Sequence, residues 1–126
     1  MIYGIGVDLV KVSRLEQGLA RFGEHYADRL LAPEEHQEFF SASDPARFLA
    51  KRFAAKEAFA KAAGTGLRHP LHLRGIAVTH SELGQPGLRF DGELGDWLRQ
   101  RGIAASHLSL SDEQDYVIAY VVLEQV

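Results

Sequence analysis

The segment Phe48–Gly66 is the feature of this sequence that most constrains the fold. It is rich in Ala, with Leu, Lys, Arg and Glu between, and these residues lose little side-chain entropy in a helix. The segment therefore predicts one long helix, with Pro45 at its start. Gly64 is expected to end the helix, because glycine can adopt the left-handed conformation beyond a last turn.

Glu57 and Lys61 stand four residues apart in this helix, so they lie about 40° from each other around its axis and share a face. Glu preceding Lys at this spacing is an ordinary surface pair, worth about 0.2–0.5 kcal/mol. The pattern by itself favours that interpretation. A role in binding or catalysis requires support from another part of the chain.

That support comes from Asp8. The segment Met1–Val12 has the β-branched and aromatic residues typical of a mostly buried strand, and Gly4 and Gly6 allow another backbone to approach it closely. A carboxylate buried in such a strand without a partner would cost several kcal/mol. Asp8 therefore lies at an exposed end of the strand or meets a cationic group.

The rest of the chain divides into helices in the first half and strands mainly in the second. Ser13 and Glu16 have the spacing of a capping box, which predicts a helix over Arg14–Phe22. The other expected elements are a short helix from Pro33 to Phe40, strands Arg74–Ser81 and Leu88–Phe90 around a turn at Gly84–Gly87, a helix over Asp91–Arg101, and a hairpin of His107–Ser111 with Tyr116–Leu123. With the first strand joining this sheet, the fold class is α+β.

Composition excludes several classes of protein. The 126 residues suit one domain spanning 1–126. A formal charge of −3 argues against general nucleic-acid binding, and the absence of cysteine excludes disulfides and thiolate zinc sites. No window approaches the roughly 20 apolar residues of a membrane span, and Met1–Gly4 lacks the basic start of a signal sequence. We therefore expect a cytoplasmic protein that binds neither nucleic acid nor membrane.

Asp8 and Glu57 are two carboxylates that a strand and a crossing helix could bring together. Mg²⁺ commonly takes one or two carboxylates together with waters and substrate phosphates, and Lys61 could add a positive charge for a phosphate. The Gly-Thr-Gly segment Gly64–Gly66 either offers backbone N–H groups and a hydroxyl to the same ligand or forms the helix C-cap and a turn. The six histidines show no metal-binding spacing in a helix.

Four segments together resemble one family. They are GIGVDLVKVSRL (Gly4–Leu15), RFAAKEAFAKAAGTG (Arg52–Gly66), the GQP turn (Gly84–Pro86) and HLSLSDEQDYVIAYVVLE (His107–Glu124). In place and order they are similar to the small bacterial 4′-phosphopantetheinyl transferases of the holo-acyl-carrier-protein synthase type. The resemblance covers essentially the whole chain, and the first two segments together are its most specific part.

The resemblance implies an enzyme that transfers the 4′-phosphopantetheine moiety of coenzyme A to a serine of apo-acyl carrier protein, with Mg²⁺, and releases adenosine 3′,5′-bisphosphate. It implies a small antiparallel sheet packed against a long central helix and shorter helices. It also implies a homotrimer with active sites at the subunit interfaces. The alternative function is a non-catalytic module that binds coenzyme A or an acidic partner through the same charged faces.

Residue roles follow from the resemblance at the matching positions. Asp8 and Glu57 correspond to the metal ligands and, with Lys61, to the catalytic residues. The implied coenzyme A contacts are Arg52, near the 3′-phosphate end, together with Lys61, Gly64, Thr65, Gly66 and Pro86. Arg14 and Arg21 fall where the first helix of the family presents arginines to the acidic carrier protein.

Two positions depart from the pattern common in the family. Asp112 stands where many relatives have a histidine, which leaves open what contacts the adenosine phosphate in its place. Arg47 or a basic residue of a neighbouring subunit is the candidate. Gln85 stands in the GQP turn where a lysine is common. Neither departure affects the implied metal ligands.

Overall fold

Five strands and five α-helices lie along residues 1–126, all of which the computed structural model describes. The helices are α1 (Val12–Phe22), α2 (Glu24–Leu30), α3 (His36–Phe40), α4 (Pro45–Ala63) and α5 (Gly92–Gln100). The strands are β1 (Ile2–Lys11), β2 (Ile76–His80), β3 (Pro86–Phe90), β4 (Ile103–Asp112) and β5 (Tyr116–Gln125). None of the helices combines the length and the apolar character needed to cross a membrane.

The strands form two antiparallel sheets. A three-stranded sheet has the order β1-β5-β4, and β2 and β3 form a separate two-stranded hairpin. The predicted hairpin of the last two strands is therefore confirmed, as is the joining of the first strand to it. With α4 packed across β1 and β5, the chain has the α+β arrangement that the sequence predicts.

Helix α4 begins and ends as predicted. The Asp44 side chain caps its first turn by accepting a hydrogen bond from the Arg47 backbone N–H at 3.2 Å, and Pro45 occupies the first helical position. Gly64 ends the helix in the left-handed conformation, with φ of 84°. Its N–H donates to the carbonyls of Ala60 and Lys61 in the last turn of the helix.

The start of α1 differs from the prediction. The helix begins at Val12 directly after β1, and no side chain caps it, so the capping box of Ser13 and Glu16 does not form. Instead the Val12 N–H donates to the Asp115 carbonyl in the β4–β5 turn at 2.9 Å. A backbone carbonyl from a distant segment thus satisfies the helix end, which local spacing could not indicate.

The glycines of β1 let α4 approach the sheet at backbone distance. A Cβ atom on Gly4 would lie 2.0 Å from the Ala62 carbonyl oxygen, and one on Gly6 would lie 2.0 Å from that of Ala58. The alanines on the facing side of α4 leave the same space free, and Ala58 and Ala62 are buried. Glycine on the strand and alanine on the helix are therefore two halves of one contact.

We expect Gly6→Ala to lower the free energy of unfolding by about 1–3 kcal/mol, because helix and strand must separate to admit the added methyl group. Thermal unfolding of the purified variant measures this. Gly92→Ala is the matched control, since an added Cβ at Gly92 would meet nothing within 4 Å. Equal melting temperatures for the two variants would contradict the close approach.

The side of the β1–β5 sheet that faces away from α4 is apolar and uncovered, and we call it the outer sheet face. In β1 the side chains alternate, with Gly6, Asp8 and Val10 facing α4. The exposed apolar residues of the outer sheet face, with their exposed fractions, are Ile5 (57%), Val7 (45%), Leu9 (63%), Tyr116 (44%), Ile118 (41%) and Tyr120 (43%). The prediction that β1 is mostly buried is therefore wrong for this side of the subunit.

Candidate active site

Asp8 lies in the middle of β1, opposite Ala119 of β5, with its side chain largely shielded. The Lys61 ammonium group donates to Asp8 Oδ1 at 3.0 Å and to the Val7 carbonyl at 2.9 Å. Asp8 therefore meets a cationic group, which is one of the two alternatives that its position in an apolar strand predicts. Lys61 makes this contact across the helix–strand interface and is not held by Glu57, so the ordinary surface-pair interpretation is wrong.

Glu57 lies beside this pair on α4, and its pKa is raised above the ordinary value. Partial burial is the main cause, and the negative charge of Asp8 adds to it. The positive charges of Lys61 and Arg14 oppose the shift without cancelling it. The Asp8 carboxylate is therefore near enough to Glu57 for its negative charge to act on it.

The carboxylates of Asp8 and Glu57 suit Mg²⁺ better than a metal that takes many ligands from the protein. The structure contains no group of three or more His, Cys, Asp or Glu side chains that could hold a metal ion together. Mg²⁺ is commonly held by one or two carboxylates, with waters and substrate phosphates completing its coordination. Asp8 and Glu57, two neighbouring carboxylates, match that description.

The Gly64–Gly66 segment forms a helix C-cap, which is one of the two roles that the sequence allows for it. The N–H groups of Gly64 and Gly66 both donate to the Ala60 carbonyl, and the Thr65 hydroxyl donates to the Gly66 carbonyl at 2.9 Å. Gly66 also has a positive φ, of 66°. The segment lies next to Lys61, and its predicted contact with coenzyme A stays a prediction.

A cavity of about 390 Å³ lies beside the N-terminal half of α4. Its lining residues are Glu38, Ala42, Ser43, Asp44, Arg47, Phe48, Lys51, Arg52, His80 and Leu110. Four of them are basic or can become so. Pro86 pairs with His80 in the β2–β3 hairpin, so the GQP turn adjoins the cavity. Lys51 and Glu57 are six residues apart, which is about 9 Å along the helix axis.

Arg52 is almost completely buried beneath this cavity. One of its guanidinium nitrogens donates to Glu35 Oε2 at 3.0 Å and to the Val78 carbonyl at 2.7 Å. The other donates to Glu38 Oε2 at 3.2 Å, and the guanidinium lies 4.4 Å from the centre of the Phe48 ring. Arg52 is thus a fixed positive charge on the cavity wall.

Arg47 and Asp112 bind each other. One Arg47 nitrogen donates to Asp112 Oδ2 at 2.9 Å and to the Glu113 carbonyl at 2.7 Å, and the other donates to the Gln114 carbonyl at 2.6 Å. Its Nε donates to Asp44 at 3.4 Å. Arg47 therefore holds the β4–β5 turn against α4, and four of its five N–H donors are occupied.

Lys51 is the functional candidate that the sequence interpretation missed. Its ammonium group lies 3.6 Å from Asp112 Oδ1, and its side chain is 40% exposed. It follows Arg47 by one helical turn, so a helical wheel of the basic residues in α4 would have pointed to it. Among the cations of the cavity it is more accessible than Arg47, whose side chain is 24% exposed.

The two arginines of α1 are exposed, and one of them is close to the carboxylates. Arg14 lies 5.2 Å above the Phe53 ring, and its charge acts on the pKa of Glu57. Arg21 lies two turns further along α1, against the ring of Phe22. The helix thus extends a basic surface away from Asp8 and Glu57.

Comparison with known proteins finds matches over nearly the whole chain. Residues 4–121 match the family model of the 4′-phosphopantetheinyl transferase superfamily. A holo-[acyl-carrier-protein] synthase of Thiobacillus denitrificans is 60% identical over 125 residues, which are 99% of this chain and 95% of the relative.

Two solved structures show the same fold. The holo-[acyl-carrier-protein] synthase of Neisseria meningitidis superposes with a TM-score of 0.97 at 49% identity, covering 99% of this chain and 100% of the other. The Bacillus anthracis enzyme, in complex with CoA (3′,5′-ADP), gives 0.82 at 34% identity, covering 100% and 99%. The chain belongs to the 4′-phosphopantetheinyl transferase superfamily and groups within it with the holo-[acyl-carrier-protein] synthases.

Proposed function

We propose that this protein transfers 4′-phosphopantetheine from coenzyme A to a serine of apo-acyl carrier protein, with Mg²⁺, and releases adenosine 3′,5′-bisphosphate. The observation that carries the proposal is the arrangement along α4. The Asp8, Glu57 and Lys61 cluster lies at one end, and a basic cavity of suitable charge lies about two turns away. A long, multiply charged donor such as coenzyme A needs both.

The reaction forms a bond between the serine oxygen and the β-phosphorus of coenzyme A, breaks the bond from that phosphorus to the oxygen bridging the two phosphates, and releases the serine hydroxyl proton to water. Catalysis of such a transfer consists mainly of positioning and charge neutralisation. Asp8 and Glu57 would hold Mg²⁺, which would supply positive charge for the pyrophosphate. Lys61, half exposed at the same place, stabilises the charge that develops on the leaving bisphosphate.

The adenosine end of coenzyme A is assigned to the cavity. Arg52 and Lys51 provide the positive charge for the 3′-phosphate, and Pro86 and the Gly64–Gly66 segment flank the path between the two ends. Lys51 takes the place proposed for Arg47, because it is the more exposed of the two and four of the five N–H donors of Arg47 are bound to Asp44, Asp112 and the β4–β5 turn.

A homotrimer would cover the outer sheet face. A protein with this many aligned apolar side chains on one sheet surface commonly buries them against another chain. The family resemblance implies a homotrimer with active sites at the interfaces, and further copies of this chain would cover this face. Sedimentation velocity of the wild-type protein tests this: a monomer at micromolar concentration would contradict it.

Arg14→Ala is expected to raise the KM for apo-acyl carrier protein several-fold while the KM for coenzyme A changes little. Arg14 is exposed on α1 and offers a positive charge to an acidic partner, whose attraction should also weaken in high salt. Initial rates at varied carrier protein and salt concentrations measure the effect. Arg101→Ala, at an exposed arginine after α5, is the control. An unchanged KM for the carrier protein would refute the assignment.

The proposed activity is tested by incubating the protein with Mg²⁺, coenzyme A and apo-acyl carrier protein. Mass spectrometry of the carrier protein should show the added phosphopantetheine group. Complex formation without the adduct, with every divalent metal tried, would overturn the proposal in favour of a non-catalytic binding module. A cytoplasmic location stays a prediction.

A further inference from the structure

Each basic residue of the cavity, other than His80, contacts a carboxylate of the same chain. Arg47 and Lys51 contact Asp112, Arg47 also contacts Asp44, and Arg52 contacts Glu38. The cavity therefore has cationic walls with internal anions at its edge. An incoming phosphate must compete with at least one of these carboxylates.

The contacts of Arg52 are unequal. Glu35 and the Val78 carbonyl hold one guanidinium nitrogen in a buried setting, where the Glu35 side chain is 1% exposed. Glu38 alone meets the other nitrogen, and its side chain is 58% exposed. The buried contacts fix the position of the guanidinium. The contact with Glu38 can open more easily, because the Glu38 carboxylate is exposed and stays in water when it separates from Arg52.

The position of Glu38 also allows its carboxylate to move away from Arg52. It lies on the short helix α3, its carboxylate has no other hydrogen-bond donor, and it lines the cavity together with Arg52. A phosphate monoester that reached this nitrogen would bring two negative charges against the single charge of Glu38. The carboxylate would then turn toward solvent, because two anions cannot share the same donor without repulsion.

We propose that Glu38 is an internal counter-ion of Arg52 that the 3′-phosphate of the donor displaces, so that Glu38 sets how strongly the enzyme distinguishes donors with and without this phosphate. The inference rests on the proposed transferase function. Glu38 occupies the anion-binding position of Arg52 in the free protein and lowers the affinity for the phosphorylated donor. A donor that lacks the 3′-phosphate does not compete with Glu38, so the affinity for that donor does not depend on Glu38.

The test compares coenzyme A with 3′-dephospho-coenzyme A as donors for wild type and Glu38→Gln. The variant should raise kcat/KM for coenzyme A about three- to tenfold, mainly through KM, because the repulsion of a like charge is removed. The value for 3′-dephospho-coenzyme A should not change. Glu34→Gln is the matched control: it removes the same charge nearby, but Glu34 pairs with Arg89 and does not line the cavity.

A change of equal size for both donors, or no change for either, would overturn the role of Glu38. Calorimetry with adenosine 3′,5′-bisphosphate and with AMP separates this inference from the proposed function. If wild type transfers from neither donor, the transferase proposal fails. The counter-ion role of Glu38 is still supported if Glu38→Gln binds the bisphosphate more tightly than wild type does and binds AMP with unchanged affinity. Equal affinities of wild type and Glu38→Gln for the bisphosphate would overturn that role.

Discussion

Glu57→Gln is expected to reduce the transfer rate by at least about 100-fold, the usual consequence of losing a charged group that holds a reacting phosphate through a metal.

The same substitution should raise the melting temperature of the metal-free protein by a few degrees. Burial and the charge of Asp8 raise the pKa of Glu57. Above its raised pKa the ionised side chain therefore destabilises the fold, and the neutral amide removes that cost.

Two measurements separate these effects. Mg²⁺ should raise the melting temperature of wild type and leave that of Glu57→Gln unchanged, since a ligand that binds only the native state stabilises it. Glu24→Gln, at an exposed residue of α2, is the control and should respond to Mg²⁺ like wild type. Retained transfer activity in Glu57→Gln, or an undiminished response to Mg²⁺, would remove Glu57 from the proposed ligands.

The sequence predicts this site because its residues violate local expectations. Asp8 is costly in an apolar strand, so it had to lie at an exposed end or meet a cation, and the structure shows the second alternative, with Lys61 as the cation. Gly4 and Gly6 are poor strand residues, so a close backbone had to explain them, and α4 provides it. Such conflicts between a residue and its local structure point to long-range contacts.

Other features leave no such conflict in the sequence. Arg47 resembles any surface arginine in a helix, and its contacts with Asp112 and the β4–β5 turn bridge 65 or more residues. The outer sheet face is present in the sequence only as an alternation of Ile5, Val7 and Leu9 with Gly6 and Asp8. So many apolar residues predict a mostly buried strand, because a single chain does not reveal which of its apolar surfaces meets another subunit.

Glu35 is the largest omission of the sequence interpretation. It follows Pro33 in what resembles the exposed first turn of a helix, yet it is 1% exposed. Its carboxylate accepts hydrogen bonds from Lys56 at 2.5 Å, from Arg52 at 3.0 Å and from the Val78 N–H at 2.9 Å. It therefore joins the segment before α3 to α4 and β2, and it fixes the Arg52 charge on the cavity wall.

Glu35→Gln is expected to lower the free energy of unfolding by about 3–5 kcal/mol, because Lys56 remains buried without a counter-charge and Arg52 keeps only its contact with the exposed Glu38. For a domain of this size the melting temperature should fall by roughly 10–20 °C. The neighbouring Glu34→Gln is the control, because exposed pairs such as Glu34 with Arg89 contribute about 0–1 kcal/mol. A fall of similar size in both variants would contradict the role of burial.

The pH dependence of the difference between wild type and Glu35→Gln identifies its electrostatic origin. Burial raises the pKa of Glu35, but the charge of Lys56 and the hydrogen bonds to the carboxylate outweigh it, so the pKa lies below the ordinary value of 4.5. A lowered pKa stabilises the fold fully above the unfolded value, and this stabilisation is lost as pH falls through the folded pKa. Urea unfolding at stepped pH should therefore show a constant difference at neutral pH that shrinks below about 4.5. A difference that stays the same at every pH would mean that the substitution perturbs packing, with no contribution from the lost charge.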